Sequence, residues 1–255
     1  MVNDMTRGKP VKILMIFMPV SYTHLDVYKR QTEILKKGVQ KMTGDLLKAH
    51  VLSSKLMTDI EDIMIEEFGL PEGHIDIGLF TTDNEDIGYV AADEATKKAN
   101  VRVCYAKSTY GGLGCAYGGE MIGIISGPSI SDVESGLRTI THFTEHNACL
   151  FSAREDDGVQ FYAQVISKIG TYLAEVCDLP VGSSVAYLVG PPLESMMGVD
   201  EALTAADVEV VKFFGPPTVS NRGGAIVTGT QSACKTACMA FAKMVMDCVE
   251  EPVDY

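Results

Sequence analysis

The chain has 255 residues and a formal net charge of −13 at pH 7. Such an acidic surface argues against nucleic-acid binding, which requires basic side chains to replace the counterions of the phosphates. Apolar residues make up 46% of the composition, and no run of 18 apolar residues occurs. We therefore expect a globular protein that does not cross a membrane.

The first 41 residues differ in character from the rest of the chain. They hold eight Lys and Arg against three acids. An apolar run from Ile13 to Val20 follows basic residues, as in a signal peptide, but no cleavage site of small residues comes after it. We expect residues 1–41 to be a non-native or disordered leader and Met42 to be the start of the folded protein.

Residues 42–150 predict one small α/β unit. Apolar residues at i, i+3, i+4 and i+8 from Ile60 predict a helix that ends near Gly69. Further along, Ser129 or Ser131 can cap a helix that carries an apolar stripe. The predicted elements are a strand at 51–57, the helix to Gly69, a strand at 75–81, a helix at 91–99, strands at 101–105 and 121–126, and a helix from about 130.

Residues 151–255 predict the same order of elements again. Strands interspersed with three helices per hundred residues or so are typical of an α/β sandwich, with the helices on one side of a sheet. The predicted elements are a strand at 159–166, a helix through Tyr172, Leu173 and Val176, a strand at 184–190, a helix at 200–207, strands at 208–214 and 225–229, and a final helix.

A direct repeat supports this division. The segments AADEATKKANVRV at 91–103 and GVDEALTAADVEV at 198–210 share six identities in 13 positions. The match extends upstream to the Leu-Pro-x-Gly motifs at 70–73 and 179–182. A period near one hundred residues is that of a small domain rather than of a solenoid repeat. We expect two domains, at 42–150 and 151–255.

Thiols and imidazoles give no clear disulfide or metal pattern. Seven cysteines without a CxxC motif are typical of reduced thiols in the cytosol. Cys234 and Cys238 are four residues apart, as are His142 and His146, a spacing that can hold zinc on a helix. We interpret the cysteines as core residues and the histidines as a solvated helix end, and we expect no metal.

A glycine-rich segment, STYGGLGCAYGGE, lies between two predicted strands at 108–120. Glycine permits positive φ angles and close approach of the backbone. Because no helix follows directly, the backbone amides would not converge on a phosphate, and we expect no nucleotide cofactor. We interpret the segment as a flexible or pore-lining loop, with a counterpart rich in Gly and Pro at 215–224.

Acidic residues form the remaining candidate site. Asp83, Glu85 and Asp86 follow a predicted strand, and Glu120 lies beyond the glycine-rich loop. If the fold brings Asp86 and Glu120 together, their carboxylates can bind an ammonium group by charge-assisted hydrogen bonds. A solvated turn is the alternative. No nucleophile or histidine is placed beside these acids, so the sequence does not favour an enzyme.

Three segments resemble a known family: YVAADEATKKANVRVCYAKSTYGG, SVAYLVGPPLESMMGVDEALTAADVEV and TGTQSACKTACMAFAKMV. They are similar to the L-type shell proteins of ethanolamine-utilisation bacterial microcompartments, and the likeness runs from about Met42 to Pro252. The resemblance implies two tandem, circularly permuted bacterial microcompartment (BMC) domains. It also implies a structural role, without a cofactor, in a cytoplasmic shell, as a homotrimer that imitates a hexamer and tiles with other shell proteins.

The resemblance further implies gated pores. Ethanolamine is expected to bind at small pores, one per subunit, through Asp86, or alternatively Glu85, together with Glu120, and to favour a closed form. The two loops match segments that rearrange when a large central pore opens. The residues expected to line the pores or the gate are Tyr110, Gly111, Gly112, Gly114, Cys115, Pro216, Pro217 and Asn221.

Lys97 matches a lysine found at the tile edge in such proteins, whereas the second copy has Thr204 at the equivalent position. Two other functions stay open at this stage. One is a tandem shell protein of a propanediol or related compartment. The other is a small-molecule sensor, or an enzyme subunit, whose ligand lies between the two copies. Assembly into trimers and then sheets distinguishes a shell tile from a sensor.

Overall fold

The structure is a computed structural model that describes residues 46–110, 119–154, 159–216 and 218–253. The predicted leader at 1–41 lies outside these ranges. The strands are β1 (Leu46–Leu47), β2 (Val51–Met57), β3 (Asp76–Thr82), β4 (Arg102–Tyr110), β5 (Gly119–Gly127), β6 (Leu150–Ser152), β7 (Gln160–Ile166), β8 (Val185–Gly190), β9 (Val208–Phe214) and β10 (Gly223–Gly229). The helices are α1 (Asp62–Phe68), α2 (Glu85–Lys98), α3 (Ile130–His142), α4 (Thr171–Cys177), α5 (Glu194–Ala205) and α6 (Gln231–Glu250).

The strands form two antiparallel sheets. The first has the order β2-β3-β5-β4, and the second has the order β1-β6-β7-β8-β10-β9. The four strands β7-β8-β10-β9 repeat the arrangement of the first sheet, so the predicted α/β fold and its repeated element order are confirmed. Strand β1 pairs with β6, which places Leu46 opposite Phe151 in the sheet of the second half.

Helix starts are where the sequence-based prediction was least accurate. The structure begins α2 at Glu85 and α5 at Glu194, whereas the predicted helices begin at 91 and 200. All residues from Glu85 to Ala95 are buried, so no apolar stripe marks the first turns of α2. A Cβ at Gly88 would collide with Thr82 and Met121, so glycine here allows α2 to lie close to the sheet.

Caps fix the helix ends that matter for the site. The side chain of Asn84 accepts a hydrogen bond from the Ile87 N–H at 2.9 Å and so begins α2. Ser129, one of the two predicted caps, accepts one from the Asp132 N–H at 3.2 Å and begins α3. None of the described helices is long and apolar enough to cross a bilayer.

The two halves share one core and also have separate ones. The largest buried cluster combines Phe80 and Ile87 of the first half with Leu173 and Tyr187 of the second. Another cluster lies beneath α6 and contains Cys234 and Cys238, as predicted. Burial raises the pKa of Cys234 to about 11, so this thiol stays protonated and unreactive. The shared core means that neither half buries all of its apolar surface alone.

A buried aspartate fastens the two halves together. Asp93 of α2 is fully buried, and its carboxylate accepts hydrogen bonds from the backbone N–H groups of Gly170, at 2.7 Å, and Leu173, at 2.9 Å. Gly170 precedes α4 and has no side chain with which to cap it. Asp93 therefore supplies from the first half the cap that the second half lacks.

A buried acidic site between the two halves

The first turn of α2 carries two adjacent buried carboxylates, which we call the acid pair. Glu85 is 1% exposed and Asp86 is 0% exposed. Charged side chains are almost never fully buried without partners, because removal from water penalises the ionised form. The N-terminus of a helix favours negative charge, but that effect alone is too small to offset two buried charges. The acid pair therefore needs donors and cations from neighbouring elements.

Asp86 takes its partners from the second half. Its Oδ1 accepts a hydrogen bond from the Tyr187 hydroxyl on β8 at 2.6 Å. Its Oδ2 lies 3.8 Å from Nη1 of Arg222, the residue that precedes β10. The Arg222 guanidinium also donates to the backbone carbonyl of Gln160 at 3.4 Å. Asp86 thus joins α2 to β8 and to the residue that precedes β10.

Glu85 is influenced by hydroxyl groups from both halves. The hydroxyl groups of Ser108 on β4 and of Ser220 lower the pKa of its carboxyl group. Within the described residues, Oε1 of Glu85 and Oδ2 of Asp86 are buried and have no hydrogen-bond donor. Leaving a buried acceptor unsatisfied costs about 1–3 kcal/mol, more when it is charged. These two oxygens are therefore where a ligand with several N–H donors would gain most.

Burial controls the ionisation of the acid pair. It raises the pKa of Glu85 to about 7, and the adjacent charge of Asp86 adds to this, whereas Ser108, Ser220 and Arg222 act in the opposite direction. Burial also raises the pKa of Asp86, against the effects of Arg222 and Tyr187. When both carboxylates are ionised, the single guanidinium leaves a formal charge of −1, which matches one monovalent cation.

Glu120, the other predicted ligand, lies on β5 opposite Thr109 and is partly exposed. In the described part of the chain, no hydrogen bond or ion pair joins it to Glu85 or Asp86. Asp83, which was grouped with them in the sequence, instead pairs with His50 at 2.9 Å.

The predicted gate residues fall in two loops. Of the second loop, Pro216 is exposed, and Asn221 has a left-handed backbone with φ 58°. Of the first loop, Tyr110 ends β4 opposite Gly119. The predicted gate residues that lie outside the described ranges are Gly111, Gly112, Gly114, Cys115 and Pro217.

Lys97, the predicted edge lysine, has partners within the chain. Its Nζ lies 3.1 Å from Oδ2 of Asp93 and 2.5 Å from Oε1 of Glu94. It also donates to the carbonyl of Lys168 at 3.1 Å. The side chain is 17% exposed, so part of it still reaches the surface.

Two comparisons with known proteins decide the family. Residues 76–153 match the family model of the BMC domain. The bacterial microcompartment shell protein EutL of Clostridium perfringens (strain 13 / Type A) is 45% identical over 217 residues, which cover 84% of this chain and 100% of that protein. The chain belongs to the EutL family of bacterial microcompartment shell proteins.

Other EutL proteins agree with this assignment. EutL of Escherichia coli (strain K12) is 36% identical over 214 residues, which cover 82% of this chain and 97% of that protein. The crystal structure of the ethanolamine utilization protein EutL from Leptotrichia buccalis C-1013-b is 48% identical, with a TM-score of 0.81. The match covers 84% of this chain and 100% of that one. The resemblance read from the sequence is confirmed, and the chain is a structural shell protein rather than an enzyme.

The BMC match includes Glu85, Asp86 and Glu120 but ends before Tyr187 and Arg222. Sequence reasoning missed these last two residues, together with Ser108 and Ser220. One signal was available, since Arg222 is the only charged residue in the segment GPPTVSNRGG.

The two histidines noted in the sequence lie away from this site. The π-helical turn Phe143–Asn147 continues α3, and the exposed rings of His142 and His146 meet edge to face at 5.0 Å. They line an open groove of about 320 Å³ together with Arg138 and Glu145. No cluster of three or more His, Cys, Asp or Glu in the described ranges could hold a metal ion.

Proposed function

We propose that the chain forms a homotrimer that imitates a hexagonal tile, in the cytoplasmic shell of an ethanolamine-utilisation microcompartment, beside other shell proteins. Residues 42–150 and 151–255 would be its two permuted BMC domains, so that three chains supply six similar units. The compartment is supported by the EutL relatives, which are known as a bacterial microcompartment shell protein and an ethanolamine utilization protein. The observation that carries the trimer is that equivalent faces of the two halves are covered unequally.

One of these faces contains α4 in the second half and α1 in the first. Tyr172 of α4 is 7% exposed, because α2 of the first half lies over it. The repeat places Ile63 of α1 at the equivalent position, and Ile63 is 74% exposed. Within the described residues, α1 has no buried side chain at all. We call the surface of β2 and α1 the bare α1 face.

The opposite face contains α2 and β4 in the first half and α5 and β9 in the second. Asp93 of α2 is fully buried against α4, whereas its equivalent Asp200 of α5 is exposed. Apolar side chains accompany Asp200, with exposures of 42% for Val210 and 55% for Phe213. We call this surface the bare α5 face.

Pairing the bare α5 face of one copy with the bare α1 face of the next would repeat the contact already present inside each chain. Contacts of this head-to-tail kind generate rings when the rotation closes. The internal contact buries the carboxylate of Asp93 and the apolar face of α4. The same contact between two copies would therefore remove exposed apolar surface from water on both bare faces. A ring of three chains is the proposed closure.

The trimer is tested by placing a charge on the bare α1 face. We expect Ile63→Asp to shift the wild-type trimer to monomers in size-exclusion chromatography with light scattering, because a carboxylate would be buried without a partner. Ile130→Asp is the matched control, since Ile130 is 46% exposed on another surface, and it should remain trimeric. A wild-type protein that stays monomeric and never forms sheets would contradict the proposed tile.

We also propose that ethanolamine binds at the acidic site and that its ammonium group meets the acid pair, with Glu120 as a further ligand. The support is the pair of buried oxygens without donors, one on each carboxylate, at a site whose formal charge is −1 when both carboxylates are ionised. An ammonium group carries three donors and one positive charge, so it would satisfy both oxygens and neutralise the site.

Calorimetric titration with ethanolamine tests this site. We expect Asp86→Asn and Glu120→Gln each to weaken binding at least tenfold, because each removes a charge that faces the ammonium group. Glu134→Gln serves as the control, since Glu134 pairs with Arg138 on the surface of α3. Unchanged affinity in both site variants would show that ethanolamine, if bound, binds elsewhere.

The pore loops complete the proposal. We propose that the segments 108–119 and 215–224 gate the pores for small metabolites and that bound ethanolamine favours the closed form. A ligand shifts such an equilibrium only through its difference in affinity for the two forms, and a tenfold preference corresponds to about 1.4 kcal/mol. Two carboxylates that meet one ammonium group in a buried site can supply a difference of this size.

A further inference from the structure

The internal contact between the two halves brings together segments whose charges are balanced. Residues 93–102, which run from α2 into β4, hold two acids and three basic residues. Residues 168–176, which include most of α4, hold one acid and one basic residue. Segments with formal charges of +1 and 0 therefore meet inside the chain, and charge does not oppose this contact.

Two basic side chains of the first half provide the balance. Nζ of Lys97 lies 3.1 Å from Oδ2 of the buried Asp93, and it donates to the backbone carbonyl of Lys168 in the second half at 3.1 Å. Nη2 of Arg102 lies 3.9 Å from Oε1 of Glu175 on α4. Both cations thus act across the internal contact.

The equivalent segments of the two bare faces carry acids alone. On the bare α5 face, residues 200–209 hold four acids and no basic residue. On the bare α1 face, residues 59–67 hold five acids and no basic residue. One basic residue on each face, Lys212 on β9 and Lys55 on β2, lies outside these segments and leaves both faces strongly acidic. Pairing of the two faces would therefore bring like charges together.

The clearest reversal concerns the salt bridge between Arg102 and Glu175. The repeat places Glu209 at the position of Arg102 and Glu66 at the position of Glu175, and both glutamates are exposed. A contact between copies that follows the internal one would set these two carboxylates opposite each other. Like charges placed face to face across an interface oppose association.

Backbone packing also differs between the two contacts. A Cβ at Gly170 would collide with Oγ1 of Thr96 and would lie 2.8 Å from the backbone carbonyl oxygen of Asp93, so glycine lets α4 lie close against α2. The residue equivalent to Gly170 in the first half is Glu61, which has a side chain. Helix α1 therefore cannot approach α5 of another copy as closely, and the contact between copies is looser than the internal one.

We propose that the ionic strength of the medium regulates assembly of the tile, because the acids of the two bare faces oppose the apolar contact between copies until dissolved cations screen them. The occupant of each bare face is a second copy of this chain, since the same two faces already meet inside every chain, and the inference rests on the proposed trimer. Ile63 on one face and Phe213 on the other supply apolar surface for the contact. The internal contact, with its balanced charges, forms without such screening.

Analytical ultracentrifugation of a dilution series tests this regulation in the full chain. The measured quantity is the protein concentration at which half of the trimer has dissociated, in about 0.1 M and in about 1 M NaCl, where the Debye length is about 10 Å and about 3 Å. We expect this concentration to fall about fivefold in the higher salt, because screening removes the repulsion. A contact held by salt bridges would respond in the opposite direction.

Reversal of one charge should replace the salt. We expect Glu209→Arg to lower the dissociation concentration about fivefold in the lower salt and to weaken the response to salt, because it supplies the basic residue that Arg102 supplies inside the chain. Glu134→Arg on the surface of α3 changes the net charge by the same amount. As the matched control, it should stay close to the wild type in both salts.

Glu66→Arg should tighten the trimer from the opposite face, whereas the double variant with Glu209→Arg sets two arginines face to face. The double variant should therefore associate less tightly than the two single effects predict when they are added. If the wild-type trimer dissociates more readily in high salt, or if neither single variant is tighter than the wild type, the regulation is wrong and the trimer stands. If the wild type and Glu209→Arg are monomeric in both salts, the trimer is wrong, and this inference is wrong with it.

Discussion

Helices α1 and α4 hold equivalent positions in the two halves, yet their surroundings differ. In the second half, Asp93 caps α4, and Leu173 is fully buried beneath the first half. In the first half, α1 has no side-chain cap, and every one of its residues is at least partly exposed. The same structural unit is thus capped and covered by a neighbouring element in the second half, and it is uncapped and exposed in the first. What differs is the presence of a neighbour, which another copy of the chain could provide.

The largest effect expected to test this comparison comes from the buried side of α4. We expect Leu173→Ala to lower the free energy of unfolding by about 3 kcal/mol, because Leu173 is 0% exposed and its removal leaves a cavity. Met64→Ala at the equivalent position of α1 should cost less than about 1 kcal/mol, since Met64 is only partly buried. Denaturant unfolding at one fixed, dilute protein concentration measures both, and equal losses would contradict the unequal coverage.

The two equivalent aspartates give the next largest difference. We expect Asp93→Asn to lower the free energy of unfolding by about 2 kcal/mol, because it weakens the cap on α4 and removes a partner of Lys97. Asp200→Asn should cost no more than about 0.5 kcal/mol in dilute protein, because Asp200 is exposed there.

The aspartate pair also tests whether the internal contact recurs between copies. If it does, the cost of Asp200→Asn should grow at protein concentrations where trimers form, since stability is then linked to association. A cost that is independent of concentration would show that Asp200 plays no part in assembly.

A smaller effect concerns pH and the acid pair, which has no counterpart on the bare α5 face. Burial raises the pKa of Glu85 from 4.5 to about 7. Because the unfolded chain loses this proton first, the folded state loses stability as pH rises between these two values. We expect the free energy of unfolding of the wild type to fall by about 1–2 kcal/mol over that interval relative to Glu85→Gln.

Urea titrations at several pH values measure this slope. The charged and titratable groups that face the acid pair are Arg222, Tyr187, Tyr89 and Tyr162. The pKa values of Tyr89 and Tyr162 are raised by burial, so neither tyrosine contributes a charge in the interval. An identical pH dependence in the wild type and in Glu85→Gln would show that Glu85 does not titrate in this way.

How far the sequence predicted the structure depends on whether a feature is local. The order of the strands and helices follows from the spacing of apolar residues and from the internal sequence repeat. The apolar stripe of the last helix correctly placed Cys234 and Cys238 in a core. The start of α2 was missed because its first turns are buried on all sides, so their sequence shows no apolar stripe facing a polar one. The meeting of Asp86 with Tyr187 and Arg222 depends on how the two sheets pack, and no local pattern encodes that.

The core that spans both halves has a mechanical consequence. Phe80 and Ile87 from one half and Leu173 and Tyr187 from the other belong to one close-packed cluster, and such interiors have low compressibility. A mechanical force applied across a single chain is therefore resisted by the packed core between its two halves. A shell facet built from these chains would therefore bend at the contacts between molecules, while each molecule itself would stay rigid.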